Sequence, residues 1–186
     1  MNNFDLPFES FIGGWFIPDK VCDKVIDYFE SKPDNHVKGT IGKNAYNKDL
    51  LDDTRMRITG EKNLEEYYIL LQECLDNYKK LYEYCDKVEP YSLEKNINIQ
   101  KYPPGGGYKV WHFEENGDDK KRHLVFMTFL NDVENGGTEF KYQNLTVPAK
   151  KGLTLIWPAP WTHTHKGQVS NTQTKYIITG WYNFNE

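Results

Sequence analysis

The chain has 186 residues, of which 38% are hydrophobic, 27% charged and 15% aromatic, and its formal net charge is −4. This length predicts a single domain, residues 1–186, with a sizeable core. The acidic balance argues against nucleic acid and anionic membranes as partners. No apolar stretch approaches the roughly 20 residues that a membrane helix needs. No basic start precedes an apolar core, as in a secretion signal, so we expect a cytoplasmic protein.

The amino-terminal half of the chain predicts two amphipathic helices. After Pro18, Asp19 is the candidate cap of the first helix, and Glu66 forms a candidate capping box with Asn63 in the second. The first apolar face comprises Val21, Cys22, Val25, Ile26 and Phe29. The second is drawn from Tyr67, Leu70, Leu71, Cys74, Tyr78 and Leu81. Residues 33–62 between the helices are polar and irregular, and we expect strands or a mobile loop there.

From about residue 95 the pattern changes to short strands. Apolar alternation or apolar runs of strand length occupy residues 96–102, 123–130, 153–157 and 176–181. Clusters of turn-forming residues separate them at 103–107, 116–119, 131–137 and 168–174. Many short strands with turn signals predict a sandwich or barrel, and the preceding helices are expected to pack on one face of it.

A first candidate metal-binding pattern is His112-Phe113-Glu114. In an extended segment alternate residues point to the same side, so the imidazole and the carboxylate can share one ion. The segment 161–167, Trp-Thr-His-Thr-His-Lys-Gly, offers His163 or His165 as a third ligand. Two histidines and one carboxylate on one octahedral face leave three positions open, as in non-haem Fe(II) oxygenases.

Lys175 opens the last apolar strand, ten residues after His165. A lysine at the edge of a buried strand needs an anionic partner. A 2-oxoglutarate-dependent oxygenase needs such a cation, because the far carboxylate of the co-substrate must be held while its oxo-acid end chelates iron.

Six segments carry a family resemblance when they are taken in order. They are Tyr102-Pro103-Pro104-Gly105, His112-Phe113-Glu114, Phe129-Leu130-Asn131-Asp132 followed by Gly136-Gly137-Thr138-Glu139-Phe140, Lys150-Lys151-Gly152, His165-Lys166-Gly167, and Lys175 with the strand after it. This series resembles the Fe(II)/2-oxoglutarate-dependent dioxygenases, specifically their prolyl 4-hydroxylase-like branch.

The resemblance implies a fold and a set of metal ligands. The fold is a mainly β double-stranded β-helix, or jelly roll, with helical support over about residues 15–90 and a catalytic core over about 95–186. The implied catalytic iron ligands are His112, Glu114 and His165. His165 is preferred to His163 because it satisfies both the His-x-Gly pattern and the spacing to Lys175.

The resemblance also implies the reaction. Fe(II), O2 and the co-substrate 2-oxoglutarate hydroxylate a C–H bond and release succinate and CO2, and ascorbate supports turnover in relatives. Lys175, with Tyr102 or Thr138, is expected to bind the far carboxylate of 2-oxoglutarate. The expected substrate is a peptidyl proline in a protein or peptide, or a small molecule. Relatives of this size imply the cytoplasm of a bacterium or of a virus-infected cell.

The chain departs from the family pattern at the carboxylate ligand, where Glu114 replaces the usual aspartate. The extra methylene lengthens the reach, so we expect an altered geometry more than a loss of activity. Glu115 and Asp118 are alternative ligands. Tyr108 is the alternative to Tyr102, since each is one of the tyrosines upstream of the first histidine.

Two other functions remain open at the level of sequence. One is a jelly roll that uses zinc for hydrolysis or only binds a ligand, since the same three side chains also bind zinc. The other is an inactive interaction module, which only the Glu114 substitution favours. His163 either faces the same cavity or lies at an exposed strand edge. Trp161 is expected to line the entrance.

Overall fold

The computed structural model of the protein describes residues 1–40 and 46–185, apart from the side chain of Asp118. Its two α-helices are α1 (Asp19–Glu30) and α2 (Glu65–Leu81). The strands are β1 (Asn2–Asn3), β2 (Gly13–Phe16), β3 (Val37–Lys38), β4 (Thr54–Ile58), β5 (Tyr91–Leu93), β6 (Ile97–Tyr102), β7 (Arg122–Phe129), β8 (Val133–Phe140), β9 (Leu145–Ala149), β10 (Leu153–Pro158), β11 (His165–Gly167) and β12 (Lys175–Phe184).

The strands form two antiparallel sheets. Within the described residues, the larger sheet has the order β1-β2-β10-β7-β12-β6-β4-β3, and β5 pairs with the end of β12. The smaller sheet has the order β11-β8-β9. Sequential strands are often not neighbours, as in a jelly roll, where the chain crosses between two sheets. The predicted fold class is confirmed.

The core lies on both sides of the larger sheet. On one side α1 and α2 pack against alternate residues of β6, β7 and β12, among them Ile99, Phe126 and Ile178. On the other side the opposite set of residues faces the smaller sheet, where Phe140 and Trp157 are buried. Because side chains alternate along a strand, the larger sheet serves two different environments at once.

The helices lie where they are predicted, but their capping is different. Asp19 is the first residue of α1, and its side chain caps nothing. Glu66 lies in the first turn of α2 and forms ion pairs with Lys20 and Lys24 instead of a capping box. Leu81, predicted to be buried, is 43% exposed at the last residue of α2. The predicted capping box does not form because a short 3-10 turn, Lys62–Leu64, leads into α2 and moves its start past Asn63.

The predicted turn at 131–137 lies largely inside β8. The pairing of β8 with β9 shifts register between Val133 and Thr138, which is a bulge, and Asn135 has φ 54°. A side chain at Gly137 would meet the carbonyl oxygen of Val147 at 2.1 Å, so the neighbouring strand requires glycine here. The glycine pair therefore marks a bulged strand in close contact with its neighbour and not a simple turn.

The segment 33–62 contributes β3 and β4, and β4 extends the larger sheet beside β6. Three glycines, Gly39, Gly42 and Gly60, predict breaks in this segment, and Gly42 lies outside the described residues. Cys22 and Cys74 are buried free thiols, and burial raises the pKa of each to about 12. No helix in the described part of the chain is both long and apolar enough to cross a membrane.

Candidate metal centre and co-substrate pocket

A cavity of about 540 Å³ lies between the two sheets. Residues of β6, β7 and β12 form one wall, and residues of β8 and β11 face them. The lining includes Arg55, Asn98, Gln100, Tyr102, Tyr108, His112, Glu114, Arg122, Thr138, Trp157, His165, Lys175, Thr179 and Trp181. All six residues predicted to form the site therefore line one cavity.

The three predicted metal ligands come together in this cavity. One ligand atom from each of His112, Glu114 and His165 lies within 4.8 Å of the others. Oε1 of Glu114 is 3.5 Å from Nε2 of His112 and 3.7 Å from Nε2 of His165. The two histidines form a bridge in which each main-chain N–H donates to the other's carbonyl, at 3.0 and 2.8 Å. This backbone bridge brings together two segments that are far apart in sequence.

Both imidazoles are oriented by main-chain carbonyls. Nδ1 of His112 is 3.0 Å from the Val110 carbonyl oxygen, and Nδ1 of His165 is 2.8 Å from that of His163. A carbonyl oxygen can only accept, so each Nδ1 carries the proton and donates it. In the neutral imidazole Nε2 then holds a free lone pair, as a metal ligand requires. Both Nε2 atoms face Glu114.

Burial and charge set the ionisation of the three side chains. Burial, reinforced by the nearby His112, lowers the pKa of His165 to about 4, so this imidazole is neutral at pH 7. Burial alone would raise the pKa of Glu114, but the neighbouring His112, His165 and Arg122 side chains outweigh burial and lower it to about 2. The site therefore offers one carboxylate and neutral imidazole nitrogen.

This donor set fits Fe(II). Two imidazole nitrogens and one carboxylate oxygen, all on one side of the cavity, match the ligands of non-haem Fe(II) oxygenases. The same cavity extends from the triad to Lys175. Within the described residues, no other group of three or more His, Cys, Asp or Glu side chains meets the same distance criterion.

Lys175 is a buried cation on the wall of the same cavity. Its side chain donates hydrogen bonds to the carbonyl oxygens of Gly136, at 2.9 Å, and Gln168, at 3.0 Å. Among the residues that the structure describes, no carboxylate lies within ion-pairing distance of its Nζ. Burial lowers the pKa of Lys175 to about 8. A buried ammonium with neutral partners and one remaining N–H is suited to an anionic ligand.

Tyr102 and Thr138 lie near Lys175. Tyr102 is the cross-strand partner of Lys175, whose Nζ is 5.1 Å from the centroid of the tyrosine ring. Thr138 is buried on β8 opposite Gly167 of β11. Tyr108, the alternative to Tyr102, stacks on His112 with ring centroids 3.8 Å apart. Of the two tyrosines, Tyr102 is therefore the one beside the cation.

The two histidines of the 161–167 segment have different surroundings. Nε2 of His163 donates to the Ser10 carbonyl at 3.0 Å, and its Nδ1 is 3.0 Å from the Thr162 hydroxyl. His163 is buried but does not line the cavity, so neither role considered for it holds. Its ring ties the 3-10 helix Trp161–His163 to the amino-terminal segment. Trp161 is 61% exposed outside the cavity and packs on Tyr142, so its predicted place at the entrance is wrong.

The alternative carboxylate ligands do not join the triad. Glu115 lines a different groove, next to His123 and Pro158. The side chain of Asp118 lies outside the described part of the structure. Glu114 is thus the carboxylate that the fold places beside both histidines.

Several polar residues of the cavity were not anticipated from the sequence. Asn98 and Gln100 alternate on β6, and Arg55 of β4 lies beside them. Asp53 is fully buried and accepts hydrogen bonds from Arg55 and Gln100. The signal was available, since polar residues alternate with Ile97 and Ile99, but an exposed strand face has the same pattern.

Comparison with known proteins agrees with this site. The model of the 2OG-Fe(II) oxygenase superfamily matches residues 97–183, which include all six predicted site residues. A comparison with curated protein sequences gives no significant match.

Three similar solved structures are prolyl hydroxylases. A Pseudomonas putida prolyl-4-hydroxylase has a TM-score of 0.71 at 13% identity, covering 94% of this chain and 93% of that one. The viral collagen prolyl hydroxylase of Paramecium Bursaria Chlorella virus-1, a 2OG complex, has 0.70 at 17%, covering 94% and 97%. A Trichoplax adhaerens prolyl hydroxylase, in complex with a hypoxia inducible factor peptide fragment, has 0.73 at 18%, covering 94% and 84%. At these low identities the structural similarity establishes a shared fold. The family match adds that residues 97–183 are similar to the 2OG-Fe(II) oxygenase superfamily, whose enzymes use Fe(II), 2-oxoglutarate and O2.

Proposed function

We propose that the protein hydroxylates a C–H bond of a prolyl residue in a peptide, with His112, Glu114 and His165 holding Fe(II) and Lys175 binding 2-oxoglutarate. The observation that carries this proposal is the buried Lys175, which shares one cavity with the triad and has only neutral hydrogen-bond partners there. Hydrolysis by a bound zinc would give this cation no task.

The side chains of the triad supply the iron ligands. Fe(II) bound there would couple the oxidative decarboxylation of 2-oxoglutarate to hydroxylation of the substrate. The protein contributes two Nε2 lone pairs in fixed orientation and one carboxylate oxygen. Phe140 and Trp157 pack around the ring of His165, with centroids 5.6 and 5.1 Å away, and contribute to its burial.

Lys175 would hold the far carboxylate of 2-oxoglutarate. A hydrogen bond from its remaining N–H to a carboxylate would join two opposite charges, whereas its two present acceptors are neutral carbonyl oxygens. Tyr102 lies beneath the ammonium, and Thr138 lies on the facing sheet, so either hydroxyl could add a second bond. The negative charge of the ligand would offset the cost of burying the cation.

The wall of the cavity formed by the larger sheet favours a substrate with hydrogen-bonding groups. Asn98, Gln100, Thr179 and Arg55 place amide, hydroxyl and guanidinium groups there. A peptide main chain offers carbonyl oxygens and N–H groups to such a wall. The similar structures support a prolyl substrate, since all three are prolyl hydroxylases and the Trichoplax enzyme is seen with a peptide.

Release of succinate tests the enzymatic part of this proposal. Under air, with Fe(II) and ascorbate, we expect the wild-type protein to convert 2-oxoglutarate to succinate. His165→Ala is the blank, because it removes one ligand, and His36→Ala is a matched control, because His36 contacts Phe29 far from the triad. No succinate from the wild type, or equal succinate from His165→Ala, would overturn the proposal.

The substrate class is tested by mass spectrometry. Peptides of varied sequence, each in a proline form and an alanine form, are incubated with the enzyme, with and without 2-oxoglutarate. We expect a 2-oxoglutarate-dependent gain of one oxygen on proline in the first form only. A gain on another residue, or on a small molecule with no gain on any prolyl peptide, would replace proline as the target and leave the oxygenase reaction standing.

A further inference from the structure

The two oxygens of the Glu114 carboxylate have separate partners. Oε1 faces Nε2 of His112 and of His165, at 3.5 and 3.7 Å. Oε2 points away from them and accepts hydrogen bonds from Nη1 of Arg122, at 3.2 Å, and Nε1 of Trp181, at 3.0 Å. One oxygen is thus directed to the metal site and the other to two fixed donors.

The two donors hold each other in place. The guanidinium carbon of Arg122 lies 3.7 Å from the centroid of the Trp181 ring, which is a close cation–π contact. Nη1 of Arg122 also donates to the main-chain oxygen of Glu114 at 3.1 Å, and Nη2 is 3.1 Å from Oδ1 of Asp119. Four contacts therefore fix the position of the Arg122 guanidinium. A guanidinium fixed in this way also restricts the orientation of the Glu114 carboxylate to which it donates.

We infer that Arg122 and Trp181 are positioning residues that make Glu114 a one-oxygen ligand of the metal ion. This inference rests on the proposed function. A carboxylate can bind a metal through one oxygen or through both. Through both, Glu114 would occupy one of the three positions that 2-oxoglutarate and O2 need. The extra methylene of glutamate gives the group the freedom to turn both oxygens toward the ion, and the two donors remove that freedom.

Metal affinity measures this role without turnover. Groups that orient a metal ligand typically contribute 10- to 100-fold to metal affinity. Trp181→Phe keeps a ring beneath the guanidinium and deletes only the N–H donor, whereas Arg122→Lys keeps the charge and loses the planar fork. We expect each variant to bind Mn(II) about 10-fold more weakly than wild type, as measured by the free-Mn(II) EPR signal.

Two matched controls separate this effect from a general effect of substitution. Trp161→Phe deletes an exposed indole N–H outside the cavity, and Arg57→Lys replaces an exposed arginine of β4. Both are expected to bind Mn(II) as the wild type does. Thermal unfolding of every variant checks that it is folded. Arg122→Lys and Trp181→Phe are measured separately, so the test can still be made if only one of these two variants folds.

A double-mutant cycle with Glu114→Asp tests the contact itself. Aspartate is one methylene shorter, so its carboxylate no longer reaches both the metal ion and the two donors. In the Glu114→Asp background we therefore expect Trp181→Phe to change Mn(II) affinity by less than about twofold, compared with about 10-fold in the wild type. A role in general stability would give the same loss in both backgrounds.

The outcomes are distinct from those that test the proposed function. A wild-type protein that binds no Mn(II) and forms no succinate would overturn the proposed function and this inference together. A wild type that binds Mn(II), with folded Trp181→Phe and Arg122→Lys variants that bind it equally well, would overturn only the role of the two donors. The same holds if the loss is as large with aspartate at position 114.

Discussion

The two faces of β12 differ in whether their side chains have all their interactions satisfied within the protein. Toward the helices the strand presents Ile178 and Tyr182, which are packed in an apolar core. Toward the cavity it presents Lys175, Thr179 and Trp181, and the first of these is a buried cation without an anion among the described residues. Alternate residues of β12 therefore serve different purposes: those on one face stabilise the core, and those on the other face are available to bind a ligand.

The same division extends across the neighbouring strands. On the helix side even the buried hydroxyls have partners, since Tyr67, Thr128 and Thr154 form a chain of hydrogen bonds of 2.9 and 2.8 Å. On the cavity side Asn98 and Lys175 keep hydrogen-bonding capacity for a molecule that enters. Substitutions on the two faces should thus affect different measurements, stability on one and ligand binding on the other.

The largest effect is expected on the helix face, from Ile178→Ala. Ile178 is completely buried, and its truncation leaves a cavity, so the free energy of unfolding should fall by about 2–5 kcal/mol. Urea denaturation measures this change. The KM for 2-oxoglutarate, measured well below the unfolding temperature, should stay at the wild-type value. A raised KM in this variant would show that the two faces are not independent.

On the cavity face, Lys175→Leu should weaken 2-oxoglutarate binding by about 10- to 100-fold, because a hydrogen bond to a charged group contributes about 1.5–3 kcal/mol. The measurement is the KM for 2-oxoglutarate together with Mn(II) affinity, which should not change. Lys101→Leu is the matched control, since Lys101 pairs with Glu30 and does not line the cavity. Equal KM values for the two variants would contradict the role of Lys175.

The charge of Lys175 also predicts a dependence on pH. Burial lowers its pKa to about 8, and only the protonated form attracts a carboxylate. As pH rises above 8 the free protein loses this charge, so the Kd for 2-oxoglutarate should rise by up to roughly tenfold per pH unit. Isothermal titration of the Mn(II)-loaded protein between pH 7 and about 9.5 measures it. A Kd that is flat across this range, or that falls, would contradict the prediction.

The smallest effect is expected from Asn98→Ala on the polar wall. Loss of one neutral hydrogen bond should raise the KM for the peptide substrate by about 2- to 10-fold and leave the KM for 2-oxoglutarate unchanged. Arg57→Lys, whose side chain is exposed on the neighbouring strand, is the control. A change in the KM for 2-oxoglutarate alone would contradict the prediction, because it would place Asn98 in the co-substrate subsite and not in the peptide subsite.

The sequence predicts the site well where chemistry is tied to spacing. The family resemblance, the fold class and the cofactors are confirmed, and the six predicted site residues line one cavity. The ten residues from His165 to Lys175 lead from β11 to β12, which belong to different sheets that both line the cavity. Their individual roles as ligands stay predictions.

What the sequence does not show depends on register and on distant contacts. The bulge in β8 looks like a turn because glycine is needed both in turns and where strands approach closely. The contact of His163 with Ser10 joins segments near the two ends of the chain. Because these residues are far apart in sequence, no local pattern predicts the contact. Arg122 and Trp181 meet through the pairing of β7 with β12, and each looks like an ordinary strand residue on its own.

The most direct test of the central claim is the visible absorption spectrum after anaerobic addition of Fe(II) and 2-oxoglutarate. Chelation of Fe(II) by this co-substrate gives a charge-transfer band. We expect the band in the wild type and in folded Ile178→Ala, at higher 2-oxoglutarate concentration in Lys175→Leu, and not in His165→Ala. No band in the wild type, or the same band in His165→Ala, would contradict the account of the site.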